Sequence, residues 1–207
     1  MYIPKHFQGH DVTKAVEFIN TYNFGLVVAV ESNRPIGTHL PFNVHYENDK
    51  LTLVSHLARA NSMSDLLDSQ EILCVFSEPH AYISPIHYEK KLSVPTWDYV
   101  AVHAYGRASV IEDPEKVVRV LRNTVELFDP SYLEEWLALP SEYITGMLRG
   151  LVAFEIHVQD LQFKEKLSQN RSNQERMNIA HAFEKSDDQN ERIIGNMIKT
   201  YSNKTPE

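Results

Sequence analysis

The chain of 207 residues is poor in the residues that punctuate or staple a fold. It has one cysteine, Cys74, so a disulfide scaffold is excluded and a Cys-x-x-Cys redox or zinc site cannot be built. Seven glycines and ten prolines exclude collagen-like and linker-like sequence. No Gly-x-Gly-x-x-Gly or Walker loop occurs, so those phosphate cradles are absent. Neither does His-Glu-x-x-His or Gly-x-Ser-x-Gly, which removes the zincin and α/β-hydrolase readings. No apolar run approaches the ~20 residues needed to cross a bilayer. The start, Met1-Tyr-Ile-Pro-Lys-His-Phe7, lacks the basic, apolar and small-residue regions of a secretory signal, and a cytoplasmic protein is expected. Basic charge is also scarce. Against 28 acidic side chains there are 20 basic ones, a net charge of −8. Residues 163–207 hold eight basic and seven acidic side chains, so residues 1–162 carry −9. A body of that sign does not grip a polyanion by bulk electrostatics.

What remains is an ordinary globular composition, 43% hydrophobic, enough for one sizeable core. Helical spacing is expected over 11–23, with Val12, Ala15, Val16 and Ile19 on one face. The apolar run 24–30 suits a strand covered on both faces. Strands follow at 38–46, 50–56 and 71–77, with a short helix at 58–67. The clearest strand is 99–111. Val100, Val102, Ala104, Gly106, Ala108 and Val110 alternate there with His103, Tyr105, Arg107 and Ser109. Asp113-Pro114 opens a helix, as an N-cap followed by proline in the first turn. A further helix is expected at 142–149, a strand at 151–158, and helices at 173–184 and 187–201, with Ser186 heading a capping box for the last. Hairpin follows hairpin, too closely for parallel crossovers. The expected class is α+β, mainly antiparallel.

Ten histidines are present, six of them between His39 and His103. His39 and His45 share a face if 38–46 is one strand, and His80 and His87 flank Ser84-Pro85, but the spacing matches no metal-ligand pattern. Ser55-His-Leu-Ala-Arg-Ala-Asn61 is placed where a strand ends and a helix begins. Ser55, His56, Arg59 and Asn61 supply short donors and a guanidinium, a set that suits a phosphate monoester, though on these residues alone a plain helix cap with a solvated Arg59 is the simpler reading. Pro79-His-Ala-Tyr-Ile-Ser-Pro85 with Tyr88, and Val94-Pro-Thr-Trp-Asp-Tyr99, read as ring-rich loops that wall a planar ligand or simply pack. Lys166-Leu-Ser-Gln-Asn-Arg171 reads as a polar connector.

Six of these segments, in order along most of the chain, resemble the PaiB family of FMN-binding negative transcriptional regulators. They are Met1–Phe7, Thr38-His-Leu-Pro-Phe42, Ser55–Asn61, Pro79–Pro85, Val94–Trp97 with Tyr99–His103, and Lys166–Arg171. The resemblance implies a split β-barrel of the pyridoxamine-phosphate-oxidase type over 1–162, with peripheral helices and a helical extension at 163–207 packed on the same domain or on a dimer partner. It implies a bacterial homodimer with FMN at the subunit interface, and repression of protease- or sporulation-type genes. It assigns the phosphate to Arg59 with Ser55, His56 and Asn61, and the isoalloxazine edge to Thr38, His39 and Leu40. Thr96 and Trp97 close the pocket. Lys166, Ser168, Gln169 and Arg171 reach in late in the chain, from this subunit or its partner. Asp98 stands where the family usually has asparagine, and places negative charge near the proposed phosphate. The alternative function is a flavin-dependent oxidoreductase acting on a small molecule, with His39, His56, His80 and His103 as acid–base candidates; a haem-handling dimer is a third. No catalytic or metal residue is assigned. Any DNA contact falls to the tail helices or to a partner, and no membrane contact is expected.

Overall fold

The computed structural model describes residues 1–204, short of the three terminal residues of the 163–207 extension. Eight strands and six helices follow in the order α1 (Val12–Thr21), β1 (Phe24–Glu31), β2 (Arg34–Pro41), β3 (Asn43–Glu47), β4 (Lys50–Ala58), β5 (Glu71–Phe76), β6 (His80–Ile83), β7 (Thr96–Val110), α2 (Pro114–Phe128), α3 (Leu133–Leu137), α4 (Ser141–Leu148), β8 (Leu151–Lys166), α5 (Asn173–Phe183) and α6 (Gln189–Lys204). The strand order is β2-β1-β5-β7-β8-β4-β3, with β6 paired to β7. The pairings of β1 with β2 and β5, β3 with β4, β4 with β8, and β6 with β7 are antiparallel. The chain forms two units. One comprises Thr13–Phe76 and His103–Leu161; the other comprises Met1–Val12, Ser77–Val102 and Gln162–Glu207.

The first unit is the larger sheet body. Phe42, Leu53, Ile72, Cys74, Phe76, Phe154 and Ile156 are fully buried. Each such side chain contributes roughly 1.5–3 kcal/mol of transfer free energy. Burial pushes the Cys74 thiol far up, so it behaves as a small hydrophobe. Strand β1 alternates between buried and partly buried positions rather than being covered on both faces, because Leu26 and Val28 face a side that the packing only half closes. The expected single strand 38–46 breaks at Phe42, whose backbone N–H donates to Asn23 O (2.8 Å). The break puts His39 on β2 and His45 on β3, so the six-residue spacing does not give them a common strand face. Gly106 sits where β7 meets β8: a Cβ there would lie 2.3 Å from His157 O, so only glycine permits the approach. Helix α2 starts as expected, with the Asp113 side chain accepting from Glu115 N (2.9 Å). It packs Val117 and Val120 against Val54 and Ala153.

In the second unit the N-terminal segment lies along the end of β8. Gly9 N donates to Phe163 O (3.0 Å), Lys164 Nζ to Tyr2 O (3.2 Å), and the Met1 amino group to Gln162 Oε1. Strand β8 runs eight residues beyond the expected Val158. The polar pair Gln159-Asp160 is exposed, and burial resumes at Phe163 and Lys164. Helices α5 and α6 pack Ile179, Ala180 and Phe183 with Ile194 and Ile198. The capping box is on α5, between Ser172 and Glu175. Before α6, Asp188 Oδ1 accepts from Asn190 N (2.7 Å) while Ser186 Oγ bonds Glu191, so Asp188 rather than Ser186 caps that helix.

Candidate functional site

The residues singled out by sequence form two clusters, one in each unit. The first gathers on β2, β4 and the turn after β4. Strand β2 ends the strand order, so its outer edge pairs with no other strand among the described residues. Thr38 is half-buried there, His39 is exposed with its ring stacked on Phe24 (6.1 Å), and Leu40 is buried. Leu40 therefore brings only its backbone to this edge.

The expected helix at 58–67 is instead a turn followed by a short 3-10 segment, Ser62–Leu66. Strand β4 persists to Ala58 because its residues pair with β8 up to Leu151. The helix N-terminus invoked for phosphate is thus absent, and side chains must supply the donors. Asn61 Oδ1 caps the 3-10 segment by accepting from Met63 N (3.0 Å), and its Nδ2 donates to Thr38 Oγ1 (3.3 Å). That bond brings the 59–61 turn against β2. Asn61→Ala is expected to cost about 1 kcal/mol, as for other capping residues, measured by urea unfolding. Arg59 is exposed and braces the turn, with Nε donating to Arg149 O (3.1 Å) and Nη2 to Leu151 O (2.8 Å). Its remaining guanidinium N–H groups are uncommitted. Ser55 does not join this set. It is buried, and its hydroxyl donates to Pro41 O (2.6 Å). His56 is half-buried with Nδ1 unpartnered, and burial lowers its pKa, so it is a neutral imidazole near pH 7. His103, on β7, is likewise half-buried, with Nδ1 unpartnered and its pKa lowered by burial. A guanidinium with free N–H groups, the Thr38 hydroxyl and the Asn61 amide form a donor set that fits a phosphate monoester.

The second cluster surrounds Asp98, which the sequence marks only as a departure. Its side chain is fully buried. Ser168 Oγ donates to Oδ2 (2.6 Å), and Lys166 Nζ stands 3.7 Å from Oδ1, which accepts no hydrogen bond. Lys166 also donates to Thr96 Oγ1 and Trp97 O. Burial raises the Asp98 pKa to about 6, against the pull of Ser168 and Lys166, and burial lowers that of Lys166. Both charged forms are disfavoured, so desolvation outweighs the attraction of the pair. Ser168 holds a left-handed backbone (φ 56°). Gln169 closes the turn by accepting from Leu167 N (2.7 Å) and donating to Glu165 O (2.6 Å). Arg171 stacks on Tyr88, 3.7 Å from the ring centroid. Lys166, Ser168, Gln169 and Arg171 are therefore engaged within their own chain, around a carboxylate that faces inward. Sequence reasoning missed this because it ended β8 early; the alternation of Leu161 and Phe163 with Gln162 and Lys164 was the available signal.

Trp97 remains open. It is 53% exposed, with Tyr82 edge-on at 5.8 Å and His80 at 5.9 Å. Their register makes them a wall, because Tyr82 pairs with Trp97 across β6 and β7. Among the described residues, no group of three or more His, Cys, Asp or Glu side chains is placed to hold a metal ion.

An eight-stranded, mainly antiparallel sheet with six helices places the chain among the split β-barrel proteins. Solved structures share the fold. They include the flavocytochrome Anf3 of Azotobacter vinelandii (16% identity, TM-score 0.60, covering 79% of this chain and 72% of that one). A second is the FAD and heme binding protein of Mycobacterium smegmatis (13% identity, TM-score 0.61, 77% and 73% covered). The family model described as "Putative FMN-binding domain" matches residues 1–160. The protein "Protease synthase and sporulation protein PAI 2" of Bacillus subtilis is 33% identical over 203 residues, 96% of this chain and 97% of that protein. The chain belongs to the PaiB family of FMN-binding proteins, and its cofactor is FMN.

Proposed function

We propose that the chain is an FMN-dependent regulator that acts as a cytoplasmic homodimer and lowers transcription of protease- or sporulation-type genes. One observation carries the reading. The identity with PAI 2 of B. subtilis spans nearly the whole of both chains, so it includes the helices beyond residue 160, where the FMN-binding match ends. In this reading residues 1–162 are the FMN-binding barrel and 163–207 the extension. The FMN phosphate is held by Arg59 with Thr38 and Asn61, and the ring lies along the β2 edge at Thr38–Leu40. Bound FMN supplies one- and two-electron chemistry. The chain's own residues hold its phosphate, order its ring and shield it from water. Association of two copies is supported by Ile86, Leu92 and Val94, which are 82%, 100% and 74% exposed.

The charge favours an indirect route to repression, since neither the body nor the near-neutral tail offers a basic recognition helix. A gel shift at modest salt with micromolar protein is expected to show no complex. Arg59→Ala is expected to lose FMN on gel filtration while its circular dichroism is unchanged, and Arg59→Lys to retain part of it. Full flavin retention in Arg59→Ala would remove the phosphate role. Deletion of the gene should raise protease transcripts, with recovery by the wild type and not by Arg59→Ala; unchanged transcripts would overturn the regulatory reading. The open Trp97–Tyr82–His80 wall favours a second reading, an oxidoreductase that takes a planar small molecule. Bleaching of bound flavin by NAD(P)H with turnover of an acceptor would support it.

A further inference from the structure

The larger unit contains a cavity of about 360 Å³ between α2 and strands β3, β4 and β8. The volume lies within the range of small-molecule sites. Its floor is apolar, made by Val54, Ile111 and Val120, of which Val54 and Val120 are buried. One wall is helix α2, which presents Lys116 and Arg119, three residues apart on one face. Neither cation has an ion-pair partner among the described residues. Like charges at that spacing repel, and the body carrying them is acidic overall, so carboxylates to pair them are plentiful in the sequence. The opposite wall carries Glu155, one oxygen of which meets His157 Nε2 at 3.3 Å. Asn43, also in the lining, is buried and fixed by its Nδ2 donating to Thr124 Oγ1 (3.0 Å).

Two unpaired cations on one wall, a carboxylate on the other and an apolar floor between them match one kind of ligand. We propose that this cavity binds a small zwitterion with an apolar side chain, of the free amino-acid class. Its carboxylate meets Lys116 and Arg119, its ammonium meets Glu155, and its side chain covers Val54, Ile111 and Val120. This site is on different residues from those assigned to FMN, and it stands whether or not the chain represses transcription.

Calorimetric titration of the FMN-loaded full chain with L-phenylalanine tests it. The expected result is saturable binding, one molecule per chain. Phenethylamine, which lacks the carboxylate, and 3-phenylpropionate, which lacks the ammonium, should bind at least tenfold more weakly. Arg119→Gln and Glu155→Gln lie on exposed and half-buried positions and should fold normally; each should weaken L-phenylalanine at least tenfold with flavin content unchanged. No heat at millimolar L-phenylalanine or L-leucine would overturn the proposal. So would binding that either variant leaves intact, or 3-phenylpropionate binding as tightly as the amino acid.

Discussion

Lys166→Met should lose about 3–5 kcal/mol of unfolding free energy at pH 8, the cost of leaving a buried carboxylate without its cation. Asp98 would then keep only the Ser168 hydroxyl. The loss should shrink near pH 5. Asp98 already takes up its proton at about pH 6 with Lys166 present, and without the ammonium it does so at still higher pH. Once Asp98 is neutral, what remains is the loss of the hydrogen bonds to Thr96 and Trp97, about 1–3 kcal/mol. The wild type carries the same signature in milder form. A carboxyl whose folded pKa is raised binds more protons folded than unfolded, so its contribution falls as pH rises from its unfolded value of 3.8 to about 6. The shift corresponds to about 3 kcal/mol of destabilisation, complete above the folded value. Urea unfolding of both proteins at pH 5 and pH 8 checks this. An equal cost for Lys166→Met at the two pH values would mean that Asp98 is not the group being compensated.

Phe42→Ala should cost about 3–5 kcal/mol by thermal or urea unfolding, as for other buried aromatic truncations. Phe42 is fully buried at the corner between β2 and β3, and packs edge-on against Phe76 at 5.5 Å. The same corner sets the position of Thr38 and His39, so flavin content should fall with stability. A variant that keeps full flavin while losing that much stability would show that the β2 edge is not anchored through Phe42. The result separates two roles within Thr38-His-Leu-Pro-Phe42: the His39 side chain is presented outward, and Phe42 is core.

The larger part of the architecture was legible because it depends on local pattern. Alternation in 99–110 follows from one face of β7 being buried, and Asp113-Pro114 fixes the start of α2 through the backbone groups it satisfies. Elements failed where long-range pairing overrode local preference. The pairing of β4 with β8 carries the extended strand past the expected end at His56 to Ala58, where the expected helix begins. Strand β6 was expected as loop, since its four residues between prolines become a strand only by pairing with β7. The family motifs located the candidate site, but not which motif residues face outward. Ser55 and Leu40 are spent on packing, and Lys166 and Ser168 serve a carboxylate 68 and 70 residues earlier in the chain.

The sequence by itself determined the family and the antiparallel class, because motif order and residue periodicity are properties of the chain alone. Tertiary structure decided the direction and partner of each polar side chain. Only folding sets which donors are consumed by backbone carbonyls, which charges are desolvated together, and which cations, such as Lys116 and Arg119, are left facing a cavity without a counter-charge.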